Sequence, residues 1–469
     1  MRIQFDLTPA QLLPKIAKLW ELSAVKIRSI EDSYKPENGT PVFTVEGKYT
    51  ARGWTEWTQG FQFGSAILQY DATGDEWFLN SGRQRTLDLM APHVSHTGVH
   101  DHGFNNVSTY GNLLRLALEG RTGASDWEKE FYRMALKVSA AVQASRWTAI
   151  PRAANVPSWL TGDAGYIYSF NGPHSLFVDT IRSLRSLAVG HRLGHQMMGE
   201  GDRKVSLLGR LLAHAEATSR YGIFHGKGRD AYDVRGRTAH EAIFNVNDGA
   251  FRCPNSQQGF SPFTTWTRGL AWAVTGYAEQ LEYFETVPDA ELEAFGGRAA
   301  VTALLRTTAE DVSDFFIERA TTLDGIPMWD TGAGNLHKLG NYQEKTSDPY
   351  NAYEPVDSSA ACIASQGLLR FGAWLDSKGE AEKAKHYRQA GLTVLSTLLE
   401  EPYLSTDEAH QGLILHSIYH RPNGWDHVGK GQSIPNGESS MWGDYHAREA
   451  ALYVQRMAKN EPYLRFWPQ

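Results

Sequence analysis

The strongest constraint on what this chain can become is a repeated pattern of amphipathic helices. Segments 113–119, 176–189, 205–218, 270–284 and 359–375 place apolar residues at three- and four-residue spacing, which predicts helices with one face turned to a core. Small polar turns punctuate them: Ala72-Thr73-Gly74-Asp75, Arg121-Thr122-Gly123-Ala124-Ser125, Gly199-Glu200-Gly201-Asp202 and Ser377-Lys378-Gly379-Glu380. Each fits a glycine that ends one helix followed by an acidic or hydroxyl residue that caps the next. A longer segment rich in Gly, His, Asp and Trp runs on the other side of each helix pair. At roughly 50 to 90 residues per pair, the repeat is too long and irregular for the common open solenoids, and a closed ring of helix hairpins fits better. Strand-like alternation is confined to short stretches such as 42–49. In such a ring one rim carries short turns and the other long loops, and chemistry is expected among the long loops. With no Pro/Ser linker, low-complexity tract or charge run to divide it, the chain reads as a single all-α domain over residues 1–469, its first 30 or so residues packed on the outside.

Charge and composition exclude several partner classes. The 46 Lys and Arg against 53 Asp and Glu give a formal net charge of -7, which leaves no basic field to attract phosphate backbones, so nucleic acid is not an expected partner. No run of about 18 apolar residues points to a membrane span. The only cysteines are Cys253 and Cys362; two cannot build a disulfide framework or a multi-cysteine zinc site. The segment from Met1 to Leu22 mixes charged residues and Pro9 among its apolar ones, unlike the apolar core of a signal peptide, and a cytoplasmic location is expected. Fourteen Trp, 20 Tyr and 20 Phe suit a large core and equally a cleft that stacks sugar rings.

Polar and aromatic residues concentrate in 54–63, 93–104, 171–179, His240, 257–272, 357–359 and 440–446, about once per helix pair, as expected of contributors to one central cavity. His93, His96, His100, Asp101 and His102 raise a metal site, but their spacings do not share one helix face, and imidazoles that cap helices or orient an acid fit better. Asp101 alone reads as an N-cap, a surface acid or a catalytic group. Asp179 lies inside an apolar run, where an unpaired carboxylate is costly to bury; it needs a partner or a polar cavity, and desolvation would raise its pKa toward the range of a general acid. Trp266, Arg268 and Trp272 form W-x-R-x-x-x-W, with Arg268 and Trp272 one turn apart, offering a guanidinium and a stacking ring to an anionic sugar.

Taken together these segments resemble the unsaturated glucuronyl hydrolases, glycoside hydrolase family 88. Trp57-Thr58-Gln59-Gly60-Phe61 matches W-T-x-G-F and His100-Asp101-His102-Gly103-Phe104 matches H-D-x-G-F. Val178-Asp179, Gln258-Gly259-Phe260-Ser261, Thr265 to Trp272, Asp357 to Ala360 and Trp442 to Tyr445 follow in family order, spanning residues 57 to 445. The resemblance implies an (α/α)6 barrel acting on the 4,5-unsaturated uronic acid that polysaccharide lyases leave at a non-reducing end. It implies Asp179 as general acid/base and Asp101 as the second essential carboxylate; like-charge proximity to Asp101 is then expected to keep Asp179 protonated. Trp57, Phe61, His100, His240, Gln258, Trp266, Arg268 and Trp272 would line the subsite for the unsaturated sugar, and neither metal nor cofactor is required. The sequence departs from the family at Leu270, where Gln is usual, at His102, where Leu is usual, and in 162–173, where Tyr166, Tyr168 or Phe170 would replace a stacking Trp. The loops 419–426 and 438–446 are candidates for outer subsites.

Three other functions use similar residues. An unsaturated rhamnogalacturonyl hydrolase of the sister family 105 would share the fold, although its usual W-x-R-G-N-G-W differs from 266–272. A sugar epimerase would require His93, His96 or His240 and dispense with Asp179. A sugar-binding module would bind without turnover.

Overall fold

The computed structural model describes residues 1–53, 56–152 and 158–467, and over these the helices close into a ring of six hairpins. Trp54 and Thr55, at the start of the aromatic segment 54–63, lie outside the described residues. In chain order the ring helices are α1 Pro9–Ser33, α2 Gln59–Thr73, α3 Glu76–Leu89, α4 Asn112–Leu118, α5 Asp126–Ser145, α6 Arg185–Arg192, α7 Leu207–Ala217, α8 Thr267–Phe284, α9 Gly297–Phe315, α10 Ser358–Ser377, α11 Ala381–Leu398 and α12 Met441–Lys459. Burial sorts the ring into α2, α4, α6, α8, α10 and α12 inside and α1, α3, α5, α7, α9 and α11 outside. The inner segments touch in succession, and α12 returns to α2 to complete the (α/α)6 barrel. The first helix, α1, packs on α12 and α2 as the outer member of the last pair.

Burial explains why the two rings read differently in sequence. Every residue of α8 from Thr267 to Leu281 is buried, whereas α5 buries Tyr132, Ala135, Leu136, Ser139, Ala140, Gln143 and Ala144 at helical spacing and leaves its other face outside. Side-chain caps start both kinds of helix: Asp75, Ser125, Ser206, Asp357 and Ser440 each accept a hydrogen bond from a first-turn backbone N–H, satisfying donors that have no partner within the helix. Two motif glycines let inner segments approach closely. A Cβ on Gly60 would sit 2.3 Å from the Asn105 Cα, and one on Gly103 would sit 2.0 Å from the Ser183 carbonyl oxygen, so neither position has room for a side chain.

Two expectations need correction. The stretch 199–202 does not join two helices: α6 has already ended at Arg192, and 199–202 turns a small hairpin whose strands are Met197–Met198 and Lys204–Val205. The stretch 42–49 is strand as expected, forming the hairpin Phe43–Val45 with Lys48–Thr50. The apolar run 176–189 is not one helix. Ser175–Phe177 pairs with Glu241–Phe244, which pairs in turn with Phe251–Asn255, and helix begins only at Thr180. A short apolar run with hydrogen-bonding neighbours on a sheet is not distinguishable from helix by periodicity. The consequence is functional, because Asp179 lies at the corner between strand and helix.

Short connections such as 74–75 and 378–380 join inner helices to outer ones, and long loops return from outer to inner. The N-terminal ends of all six inner segments therefore share the long-loop rim, where their backbone N–H groups make the local field positive.

Candidate active site

At that rim lies a cavity of about 220 Å³. Of the residues singled out in the sequence, Trp57, His100, Asp101, Asp179, Gln258, Trp266, Arg268 and Trp272 line it. Phe61 and His240 stand one layer back. The Phe61 ring is fully buried against Trp57, Phe104, Tyr445 and His446, where it supports lining residues. His240 accepts the backbone N–H groups of Gln257 and Gln258 at Nδ1, at 3.0 and 3.3 Å, and so holds the loop that carries Gln258. Burial pushes its pKa down to about 3, leaving a neutral ring whose proton is on the buried Nε2.

Asp101 and Asp179 occupy equivalent places, each immediately before a short helical turn, His102–Asn105 and Thr180–Ser183, and neither caps its helix with its side chain. Their carboxylates are thus available to each other and to His100. His100 Nε2 is 3.2 Å from an Asp179 oxygen and 3.7 Å from an Asp101 oxygen. The Gln143 amide and the Ser183 hydroxyl both donate to the His100 carbonyl, while the ring packs against Phe170 and Phe177.

The electrostatics reverse the sequence expectation for the two acids. Burial pushes Asp179 up, but the hydrogen bond and charge of His100, with His240 and Arg268, outweigh it and hold the carboxyl below its usual value. Asp101 is the raised one: burial and the Asp179 charge exceed the opposing effect of His100. His100 is itself raised, because the two carboxylates overcome its burial. These shifts favour a proton on His100 over one on Asp179 and make Asp101 the more basic carboxyl of the two.

Opposite the acids, the Arg268 guanidinium lies between the faces of Trp266 and Trp442, each centroid 4.6 Å away. One Nη donates to Gln258 Oε1 at 2.5 Å and to the Tyr419 carbonyl at 2.7 Å, and the other donates to the Ile418 carbonyl. Its hydrogen bonds therefore go to the protein, and it offers the cavity a fixed positive charge and an oriented Gln258. Trp57 stacks on Trp442 at 5.1 Å.

The remaining lining comes from Phe170, Asn171, Tyr419, His420, Asn423 and Trp425, among others. Of the three aromatic candidates in 162–173, Phe170 reaches the cavity; Tyr166 is buried against Phe244, and Tyr168 lies under Arg146. Loop 419–426 contributes Tyr419, His420, Asn423 and Trp425 to the lining. Loop 438–446 does not: its Trp442 backs Trp57 and Arg268, and Asp444 accepts the Leu413 and Ile414 N–H groups. Asn171 and Asn423 carried no motif strong enough to separate them from loop residues, and Phe104, the last position of H-D-x-G-F, was not singled out as a lining residue.

The histidine cluster is divided among private partners. His93 joins Gln59 and Asn105, at 2.7 and 3.2 Å, and His102 joins Ser139 and the His96 carbonyl, both at 2.9 Å. Burial lowers their pKa values to about 4 and about 3. Among the described residues no three His, Cys, Asp or Glu side chains converge as metal ligands. Dialysis against a chelator is therefore expected to leave turnover unchanged; activity lost to the chelator and restored by zinc would contradict this.

A closed helical ring with a carboxylate pair, an aromatic wall and a buried guanidinium about one cavity is an arrangement that suits a glycoside hydrolase of the (α/α)6-barrel class. No family model matches the chain. It is 26% identical over 420 residues to an unsaturated glucuronyl hydrolase of Bacillus sp. (strain GL1), covering 87% of this chain and 89% of that one. It is 23% identical over 403 residues to an unsaturated glucuronyl hydrolase of Formosa agariphila, covering 86% and 80%. The crystal structure of a mutant unsaturated glucuronyl hydrolase from Streptococcus agalactiae complexed with dGlcA-GalNAc6S superposes with a TM-score of 0.64 at 18% identity, over 100% of this chain and 99% of that one. The chain is a homologue of the unsaturated glucuronyl hydrolases.

Proposed function

We propose that the chain removes a 4,5-unsaturated uronic acid from the non-reducing end of lyase-generated oligosaccharides, with Asp179 as general acid/base. The observation that carries this reading is the Asp101–His100–Asp179 cluster, set in a cavity whose other wall is cationic and aromatic. A uronate carboxylate is favoured there by Arg268 and by the N-terminal ends of the inner helices, and the ring faces of Trp57, Trp266 and Trp272 suit a flattened sugar. The Streptococcus agalactiae complex holds an unsaturated disaccharide of this class.

The substrate's C4=C5 bond is conjugated to the ring oxygen as a vinyl ether. Displacement of cavity water by sugar disfavours the ion pair and moves a proton from His100 Nε2 to Asp179 across 3.2 Å. Asp179 then protonates C4, and the positive charge appears as an oxocarbenium ion between C5 and the ring oxygen. The regenerated Asp179 carboxylate takes a proton from water as the water oxygen adds to C5. The resulting hemiketal opens to a C5 ketone, and the hemiacetal left at C1 releases the remaining chain as an alcohol. Neither step forms a glycosyl–enzyme bond, so the carboxylate spacing that separates retaining from inverting glycosidases has no bearing.

The test is loss of the ultraviolet absorbance of the C4=C5 bond across a panel of unsaturated disaccharides. Binding without absorbance loss in every member would overturn the reading. His100→Gln gives a sharper check on the electrostatics. Without His100 the pair loses the site that holds its proton most tightly, and Asp179 alone, still opposed by Arg268, must keep it. The alkaline limb of kcat/KM, which reports the proton of the His100–Asp179 pair, is expected to move downward; an unmoved limb, or one moved up, would contradict this assignment.

A further inference from the structure

Helix α5 lies in the outer ring, yet one stripe of its solvent side is apolar. Trp127 is 75% exposed, Met134 61% and Val138 37%, and Phe131 stacks beneath Trp127 with ring planes 10° apart. These four residues recur at four, three and four positions and so form one stripe, roughly 17 Å long at the helical rise per residue. Met198, 61% exposed, stands on the small hairpin that packs against α5 and extends the same surface. Single exposed apolar residues are ordinary on a soluble protein; a contiguous aromatic and methionine ridge is not.

We propose that this ridge is the contact between two copies of the chain, packed about a twofold axis with their α5 helices antiparallel. The stripe is complementary to itself. In an antiparallel pair centred between Tyr132 and Arg133, Trp127 meets Val138 and Phe131 meets Met134 of the second copy, so each large ring faces a smaller or more pliable side chain. The charges on the same side agree with that register. Glu130 is 68% exposed by side chain and belongs to the acidic first half of the helix; Lys137, in the basic second half, has no ion pair among the described residues. The twofold brings Glu130 of one copy beside Lys137 of the other, at both ends of the contact. A parallel arrangement would oppose like charges and place Trp127 on Trp127. Isologous contacts of this type are the commonest in homodimers. A single exposed helix and its neighbouring hairpin lie toward the small end of specific interfaces, so a dissociation constant in the micromolar range is expected.

Sedimentation velocity on the whole chain from about 1 to about 100 µM, a range that brackets such a constant, tests the proposal. The wild type is expected to pass from monomer to dimer, while Trp127→Glu with Met134→Glu stays monomeric throughout at unchanged turnover per chain. Glu130→Lys is expected to weaken the dimer at least tenfold, and adding Lys137→Glu to it to restore the dimer. A wild type that stays monomeric at the highest concentration overturns the proposal, as does a double Glu variant that still dimerises. Failure of the charge swap to restore association overturns the antiparallel register.

Discussion

Replacing Asp179 by Asn is expected to lower the rate of vinyl-ether hydration by about 10²- to 10⁴-fold, the range in which positioned acid–base groups contribute, and to leave the fold intact. The amide has the shape of the carboxyl and retains an oxygen toward His100 Nε2, now 3.2 Å from Asp179, but it can neither deliver a proton to C4 nor take one from water. The buried ion pair with His100 is lost at the same time, and the histidine, deprived of one of the two carboxylates that raise it, is expected to titrate at lower pH. Absorbance loss measured under single-turnover conditions separates this from weakened binding, because a purely structural role would raise KM and spare the chemical step. A variant with more than about one-tenth of wild-type kcat would exclude Asp179 as the acid and move the assignment to Asp101, the more basic carboxyl of the pair.

The sequence made the helical hairpins and the order of the site segments legible because both depend on local signals. Periodicity marked the helices at 113–119, 205–218, 270–284 and 359–375, and Asp75 and Ser125 marked the starts of α3 and α5. Long-range pairing left no such trace. Ser175–Phe177 is a strand because Glu241–Phe244, more than sixty residues later, supplies its partners. Phe61 carries a motif position yet stands behind the cavity, since spacing along a helix says which residues share a face but not how deep each one sits. The two carboxylates exchanged electrostatic roles for the same reason: each is buried, and what separates them is the 3.2 Å contact of His100 with Asp179 against the 3.7 Å approach to Asp101. Exposure of Trp127 was equally hidden, because an apolar stripe on an amphipathic helix is expected to face inward.

Charges on the inner helices were the deepest concealment, and they carry the largest expected effect on stability. Arg182 and Arg185 read as the polar face of an amphipathic segment; in the barrel both are buried to within about 1% of full burial, behind Trp272, with Glu279 and Glu449. Arg182 donates to both oxygens of Glu279, at 3.0 and 3.1 Å, and to Glu449 at 2.6 Å; Arg185 reaches Glu449 at 3.4 Å. Two cations and two anions leave the cluster neutral, which is the condition for keeping charge in an interior. Arg182→Met removes one cation and leaves two buried carboxylates sharing Arg185, so a loss of about 3–5 kcal/mol in unfolding free energy is expected. Adding Glu279→Met should recover part of that loss, because the second substitution removes the carboxylate left without a partner; a single variant costing under about 1 kcal/mol would show that the cluster relaxes or admits water. The pH dependence has a definite sign. Burial pushes Glu449 up, but Arg182 and Arg185 outweigh it and hold its carboxyl far below the ordinary glutamate range. A group depressed in the folded state contributes its full stabilisation above its unfolded pKa, about 4.3 for Glu, and loses it as pH falls toward the folded value. Wild type is therefore expected to lose stability steeply in acid, and Arg182→Met, whose Glu449 has lost its strongest partner, to show a shallower acid dependence from a lower starting point.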